Sequence, residues 1–254
     1  MDKLLKPSGK VVRFFHRLNT LAKRELDSTS IFYEMERMTR KKSAEYISEN
    51  LGDALLFFRD LKYWNFIIQE IPKEGLLFEF GVYKGKSINY LAEQLDETGD
   101  KRRIFGFDSF TGLAGKPRIP EKENNNFNLN GRMPVVLPNV KLHKGVIEET
   151  LTTFMDNLKI KDKSIAYLHM DVKQYRSTKY ILENLLPHLK KGSIIDFDNY
   201  LGYIGWQQNE FRAMAETIGN SCEYEHVAFC EMTNDTETRI KAAIRITRLY
   251  KSRR

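Results

Sequence analysis

The stretch LLFEFGVYKGKSINYLAEQL, residues 76–95, joins an apolar run, a glycine-containing turn and a segment with helical spacing. A buried strand turning through glycine into a helix is a unit of parallel α/β sheets, so it predicts a strand over Leu76–Phe80 and a helix over Ser87–Leu95. The same rhythm continues downstream. Apolar runs predict strands at Ile104–Phe107, Val140–His143, Ile165–Met170 and Ser193–Phe197, with helices at Thr178–Leu185 and Gln208–Ile218. Gly219 follows the last helix where a C-cap glycine would stand. EYEHVAFCEM (223–232) and RIKAAIRITRL (239–249) flank TNDTET and read as an antiparallel hairpin at the sheet edge.

The glycine turn could cradle several kinds of ligand. A dinucleotide fingerprint needs G-x-G-x-x-G, whose middle glycine lets the backbone approach a pyrophosphate. Here the spacing is Gly81-x-x-x-Gly85, with Tyr83 at the middle position, and GKS at 85–87 lacks the upstream glycine of a phosphate-binding Walker loop. Phosphate binding is therefore disfavoured. The second strand ends in FGFDSF, which puts Asp108 at a strand tip beside the turn, where a carboxylate can accept hydrogen bonds from both hydroxyls of an adenosine ribose.

Upstream, two apolar stripes predict helix through residues 10–71: Val11, Phe14, Phe15, Leu18, Leu21 and Ala22, then Leu55, Leu56, Leu61, Trp64, Ile67, Ile68 and Ile71, ending at Pro72. This predicts a helical extension over 1–64 and a main domain over 65–254. Between Gly112 and Asn139 the chain is rich in Pro, Gly and Asn without periodicity, which fits either a lid over a site or a disordered loop.

The 254 residues carry a net charge of +7 and are 41% hydrophobic, enough to fill a core. The charge sits at the ends. Residues 1–50 hold eleven Lys/Arg against seven Asp/Glu, and RLYKSRR (248–254) adds four cations and no acid. The near-neutral centre argues against a nucleic-acid partner, while basic ends suit solubility or peripheral contact with an anionic membrane. No apolar run is long enough for a membrane span. Cys222 and Cys230 make neither a disulfide framework nor a metal motif, so the chain reads as a cytoplasmic protein with reduced thiols. Assembly as a homo-oligomer stays open.

Glu79-x-Gly81-x-x-x-Gly85-x-Ser87, then FGFDSFTGL, then HKGVIEETL at 143–151, resemble in order and spacing the class I S-adenosylmethionine-dependent methyltransferases, specifically the macrocin O-methyltransferase family, over about residues 65–247. The resemblance implies a three-layer, Rossmann-like α/β fold with a seven-stranded, mostly parallel sheet and an antiparallel C-terminal hairpin. It implies methyl transfer from S-adenosylmethionine to a hydroxyl, on a sugar in a glycan or secondary metabolite. The cofactor-binding set it implies is Glu79, Gly81, Gly85, Ser87, Asp108, Ser109, Phe110, Gly145, Val146 and Ile147. The turn would hold the methionine end, whose carboxylate suits the free N–H groups of a helix start.

LHMDVKQYRST and IIDFDNYLG supply acidic strand ends. If their strands are neighbours, Asp171, Asp198 and Asn199 meet as an all-oxygen set suited to Mg²⁺, although Asp and Asn are also common where strands turn into loops. The same set resembles the metal ligands of catechol-type O-methyltransferases. The macrocin-type pattern D-x-D-x-Y-E-S-T departs here: Lys173 replaces its second acid and Arg176 the next. With Asp171, Lys173 is the candidate catalytic residue, as a base, as a binder of an anionic acceptor or as a cation in the metal's place. Asp196 is a further acid on the same strand face, and His169 reads as a buried structural histidine. Two other classes stay open: a nicotinamide-dependent oxidoreductase, opposed by Tyr83, and a non-catalytic cofactor-binding scaffold, suggested by Lys173.

Overall fold

A computed structural model describes residues 30–113, 127–158, 163–233 and 238–250. The first apolar stripe and the middle of the Pro- and Asn-rich segment lie outside these residues. In chain order the elements are α1 (Ile31–Glu49), β1 (Leu55–Phe57), α2 (Asp60–Glu70), β2 (Leu76–Phe80), α3 (Lys86–Glu97), β3 (Ile104–Asp108), β4 (Val140–Lys144) and α4 (Ile147–Leu158), followed by β5 (Ile165–Met170), α5 (Tyr175–Leu185), β6 (Leu189–Leu201), α6 (Glu210–Ser221), β7 (Cys222–Thr233) and β8 (Thr238–Leu249).

The strands form one sheet in the order β1-β7-β8-β6-β5-β2-β3-β4. β8 runs antiparallel to both β6 and β7, and the remaining pairs are parallel. Helices cover both faces because alternate strand residues are apolar on both sides. Phe78, Phe80, Phe105, Phe107, Leu168 and Met170 pack against Leu151 and Phe154 of α4, Ile181 and Leu185 of α5, and Met214 and Ile218 of α6. Leu77, Ile104, Ala166 and Ile194 face Tyr63, Trp64 and Ile67 of α2 and Ile88, Leu91 and Leu95 of α3. No helix of the described residues is long and apolar enough to cross a membrane. Cys222 and Cys230 are buried free thiols, in the cores on opposite faces of the sheet.

Two local readings change, and a third gains detail. Leu55 and Leu56 are not in a helix. They begin β1, an eighth strand that pairs with β7 through Leu55↔Ala228 and Phe57↔Cys230, so the hairpin is one strand in from the edge. Leu55 and Leu56 are about half exposed, and a three-residue strand is too short for alternation to betray it. Gly219 does not cap α6, which continues to Ser221. Part of the Pro- and Asn-rich segment is tied down: Asn89 of α3 donates to the Val135 carbonyl and accepts from the Leu137 N–H, and Asn139 donates to the Ala92 carbonyl.

α1 meets the sheet through Tyr46, which bonds Tyr200 at 3.0 Å and lies 3.4 Å from His226 Nε2. His226 stacks on Phe229 and is 8% exposed, and burial pushes its imidazole down to about 4. A base whose folded pKa is depressed stabilises above its unfolded pKa, and that stability is lost as pH falls toward the folded value. His226 is therefore expected to withdraw about 3 kcal/mol of stability between roughly pH 6.5 and pH 4. Urea midpoints at pH 7 and pH 4.5 should separate less in His226→Gln than in the unmodified chain; equal separations would dismiss the effect.

Candidate active site

From the neighbouring strands β2 and β5 the chain runs in opposite directions across the sheet, β2 on to β3 and β5 on to β6, and such a switch point opens a crevice at the carboxyl ends of the strands. The end of β2 is held on both sides. The Gly81 N–H donates to the Phe107 carbonyl at 2.9 Å, and the Asp171 N–H donates to the Phe80 carbonyl at 2.8 Å. Gly81 has φ 89°, and a Cβ there would sit 2.2 Å from the Asp171 carbonyl oxygen, so only glycine lets the two strand ends meet.

Asp108 ends β3 and organises two turns. Its Oδ2 accepts the Tyr83 N–H and its Oδ1 the Phe110 N–H, each at 2.7 Å. Tyr83 and Phe110 both adopt left-handed backbone, at φ 49° and 57°. Each carboxylate oxygen retains a second lone-pair direction for a ligand hydroxyl.

An open cleft of about 250 Å³ lies over these strand ends. Of the residues singled out in the sequence, Gly81, Asp108, Ser109, Gly145, Val146, Ile147, Asp171 and Lys173 line it. The other six candidates do not line it. Glu79 is buried, accepting from Ser87 Oγ at 2.9 Å and pairing with His169 Nδ1 at 2.9 Å, so Glu79 and Ser87 border a smaller cavity beneath. Gly85 is the left-handed N-cap of α3. Phe110 is fully buried, and its carbonyl accepts from the Leu129 and Gly131 N–H groups. Asp198 and Asn199 are buried at the end of β6.

The acidic strand ends do converge. Asn199 Nδ2 donates to Asp171 Oδ1 at 2.8 Å. Glu210, the first residue of α6 and wholly buried, accepts the Lys173 N–H at 3.1 Å and the Asn199 N–H at 3.0 Å. It thereby ties the two strand ends together and holds Lys173 at φ 57°. Burial, then the Asp198 charge, raises the Asp171 carboxyl to about 6; burial, then Asp171, pushes Glu210 up to about 8. Lys173 Nζ rests 4.3 Å from the centre of the Phe127 ring, across the mouth of the cleft.

Residues 78–200 match the family model described as a methyltransferase domain. These residues form a methyltransferase domain. The sheet to which they belong, mostly parallel and closed by the β7–β8 hairpin beyond them, has the architecture of the class I enzymes. A curated relative is the 8-demethyl-8-(2,3-dimethoxy-alpha-L-rhamnosyl)-tetracenomycin-C 4'-O-methyltransferase of Streptomyces olivaceus, 29% identical over 138 residues, which is 50% of this chain and 53% of that protein. The match therefore spans about half the length of that relative. Among solved structures, CalS11, calicheamicin methyltransferase, superposes with a TM-score of 0.50 at 21% identity, covering 96% of this chain and 97% of the other, a likeness of fold.

Beyond the matched residues, β8 brings to the site cations that sequence reasoning missed. Asp198 Oδ1 pairs with the Lys241 ammonium and lies 3.6 Å from His169 Nε2, and Arg239 is 3.9 Å from Asp198 Oδ2. Burial opposes the Asp198 charge, but Lys241, His169 and Arg239 outweigh it and hold the carboxyl well below the usual range. Burial likewise favours neutral His169, and Glu79 and Asp198 reverse that and raise it well above its ordinary value. Among the described residues, no group of three or more His, Cys, Asp or Glu side chains is arranged to hold a metal ion. The donor set does not fit Mg²⁺, because Asp198 already carries an ammonium and Asn199 a guanidinium. The signal available in the sequence is a lysine and an arginine within the apolar run of the hairpin's second strand.

Proposed function

We propose that the chain is an S-adenosylmethionine-dependent O-methyltransferase acting on a hydroxyl of a sugar carried by a small molecule or glycan. The observation that carries this reading is the cleft at the strand ends that Gly81 and Asp108 line together with Asp171 and Lys173. On this reading Asp108 accepts hydrogen bonds from the ribose, Ser109, Val146 and Ile147 border the adenine, and Gly81 and Gly145 leave room for the methionine end. The sugar acceptor is supported by the tetracenomycin relative, which is named as a 4'-O-methyltransferase of a rhamnosyl compound.

When bound, the sulfonium supplies a methyl group already activated for attack. The chain's own task is to align the acceptor oxygen and take its proton. Asp171 suits proton removal, being ionised at neutral pH yet far less acidic than a free aspartate. Lys173, seated on Phe127, suits binding of an anionic group on the acceptor.

Isothermal titration tests the donor: S-adenosylmethionine is expected to bind, and binding of NAD alone would reject the assignment. With glycosylated acceptors and S-adenosylhomocysteine release as readout, Asp171→Asn is expected to lower kcat about 10²–10⁴-fold with little change in acceptor KM. Lys173→Met is expected to raise acceptor KM instead. The opposite pattern would move the base to Lys173.

A further inference from the structure

Three side chains at the ends of β5 and β6 could together offer a divalent cation two carboxylates and an amide oxygen: Asp171, Asp198 and Asn199. The hairpin has taken two of them. Lys241 of β8 is 3% exposed, with its ammonium paired to Asp198, 2.8 Å from Asp60 Oδ1 and 4.8 Å from the centre of the Trp64 ring. Arg239, two residues earlier on the same strand, donates to Asn199 Oδ1 at 3.2 Å.

The orientation of the Asn199 amide is dictated by its partners. An aspartate carboxylate can only accept and a guanidinium can only donate, so Nδ2 must face Asp171 and Oδ1 must face Arg239. The amide oxygen is thus turned away from any ion shared with Asp171. A dication entering among these groups would meet two fixed positive charges and would have to displace a buried ion pair.

We infer that methyl transfer by this chain is independent of divalent metal, and that Lys241 and Arg239 supply the positive charge that balances Asp198 and orients Asn199. The inference rests on the proposed methyltransferase reading and adds to it how the acidic strand ends are neutralised. In this role Lys241 and Arg239 are positioning residues. They act on Asp171 through Asn199 and Asp198 and need touch no substrate.

The test is a Mn²⁺ titration of the full chain, with S-adenosylmethionine present, followed by electron paramagnetic resonance. The expected result is no saturable site at concentrations up to about 1 mM, the range of weak protein sites. Methyl transfer is expected to be equal with EDTA and with added Mg²⁺. A stoichiometric Mn²⁺ site in the unmodified chain that disappears in Asp198→Asn, or transfer lost to EDTA and restored by Mg²⁺, overturns the inference. Lys241→Met, shown to be folded by circular dichroism, is expected to acquire a Mn²⁺ site; a folded variant without one overturns the claim that the ammonium stands in the ion's place. If that variant does not fold, the titration of the unmodified chain decides. Failure of S-adenosylmethionine to bind at all would defeat the methyltransferase reading instead, and the Mn²⁺ titration keeps the two failures apart.

Discussion

Gly81→Ala is expected to lower the melting temperature by about 10 °C and to weaken S-adenosylmethionine binding at least about 100-fold. Two costs add. A left-handed backbone, here at φ 89°, penalises any Cβ by about 1–2 kcal/mol. The new carbon would also sit 2.2 Å from the Asp171 carbonyl oxygen and 2.7 Å from its carbonyl carbon, which are backbone atoms that no rotamer change can move. Overpacking of this kind costs about 1–3 kcal/mol more. The only relief is to separate the ends of β2 and β5, which displaces Asp171 and opens the cleft. Gly99→Ala is the control: its φ is 75°, but a Cβ there meets nothing within 4 Å. It should lose about 1–2 kcal/mol and keep donor binding. Calorimetric melting and donor titration on both variants check this. Similar losses of binding in the two would show that backbone strain, and not the contact with Asp171, governs the site.

Asp108→Ala should be comparably severe. The carboxylate is the hydrogen-bond acceptor for two backbone N–H groups at once, and a hydrogen bond to a charged group is worth about 1.5–3 kcal/mol. Its removal leaves the Tyr83 and Phe110 N–H groups without their acceptor in two left-handed turns, so a stability loss of about 2–5 kcal/mol is expected, with donor affinity down at least about 100-fold. Asp108→Asn separates two explanations. If the side chain served the ribose alone, an amide could still exchange hydrogen bonds with its hydroxyls and much of the affinity would survive. Because both oxygens receive backbone N–H groups, the amide must turn its own NH₂ toward one of those donors. Asp108→Asn is therefore expected to bind nearly as weakly as Asp108→Ala. Near-normal affinity in the asparagine variant would contradict the two-turn role.

Most of the sheet was legible in the sequence because buried parallel strands are short apolar runs bounded by polar turns. Leu76–Phe80 and Ile165–Met170 were read to the residue, and β3 and β4 extend one residue beyond the apolar run, to Asp108 and Lys144. β1 escaped because three residues with outward-facing leucines carry no period of two. Gly219 misled because a helix tolerates glycine at modest cost when packing on both sides sustains it. At the cleft, Asp108 was recognisable from its place at a strand tip, whereas Ser109, Gly145, Val146 and Ile147 were named through the family resemblance. Glu79 and Ser87 proved to be partners of each other, with His169 beneath the floor. The cations at Asp198 and Asn199 were illegible for a different reason. They come from a strand some 40 residues downstream, and nothing in linear order ties RIKAAIRITRL to DFDNY. Only the antiparallel register of β6 with β8, which sets Asp196 opposite Ala243 and Phe197 opposite Ala242, brings Lys241 and Arg239 to that end of the sheet.

That placement separates two tasks along the chain. The half that begins with β2 shapes the cleft, whereas the charges of Lys241 and Arg239 reach the acidic tips from the terminal hairpin. Substitutions at 239 and 241 therefore change the charge beside the strand tips without altering the residues that line the cleft, and the hairpin becomes the natural place to graft a different ionic requirement onto the same scaffold.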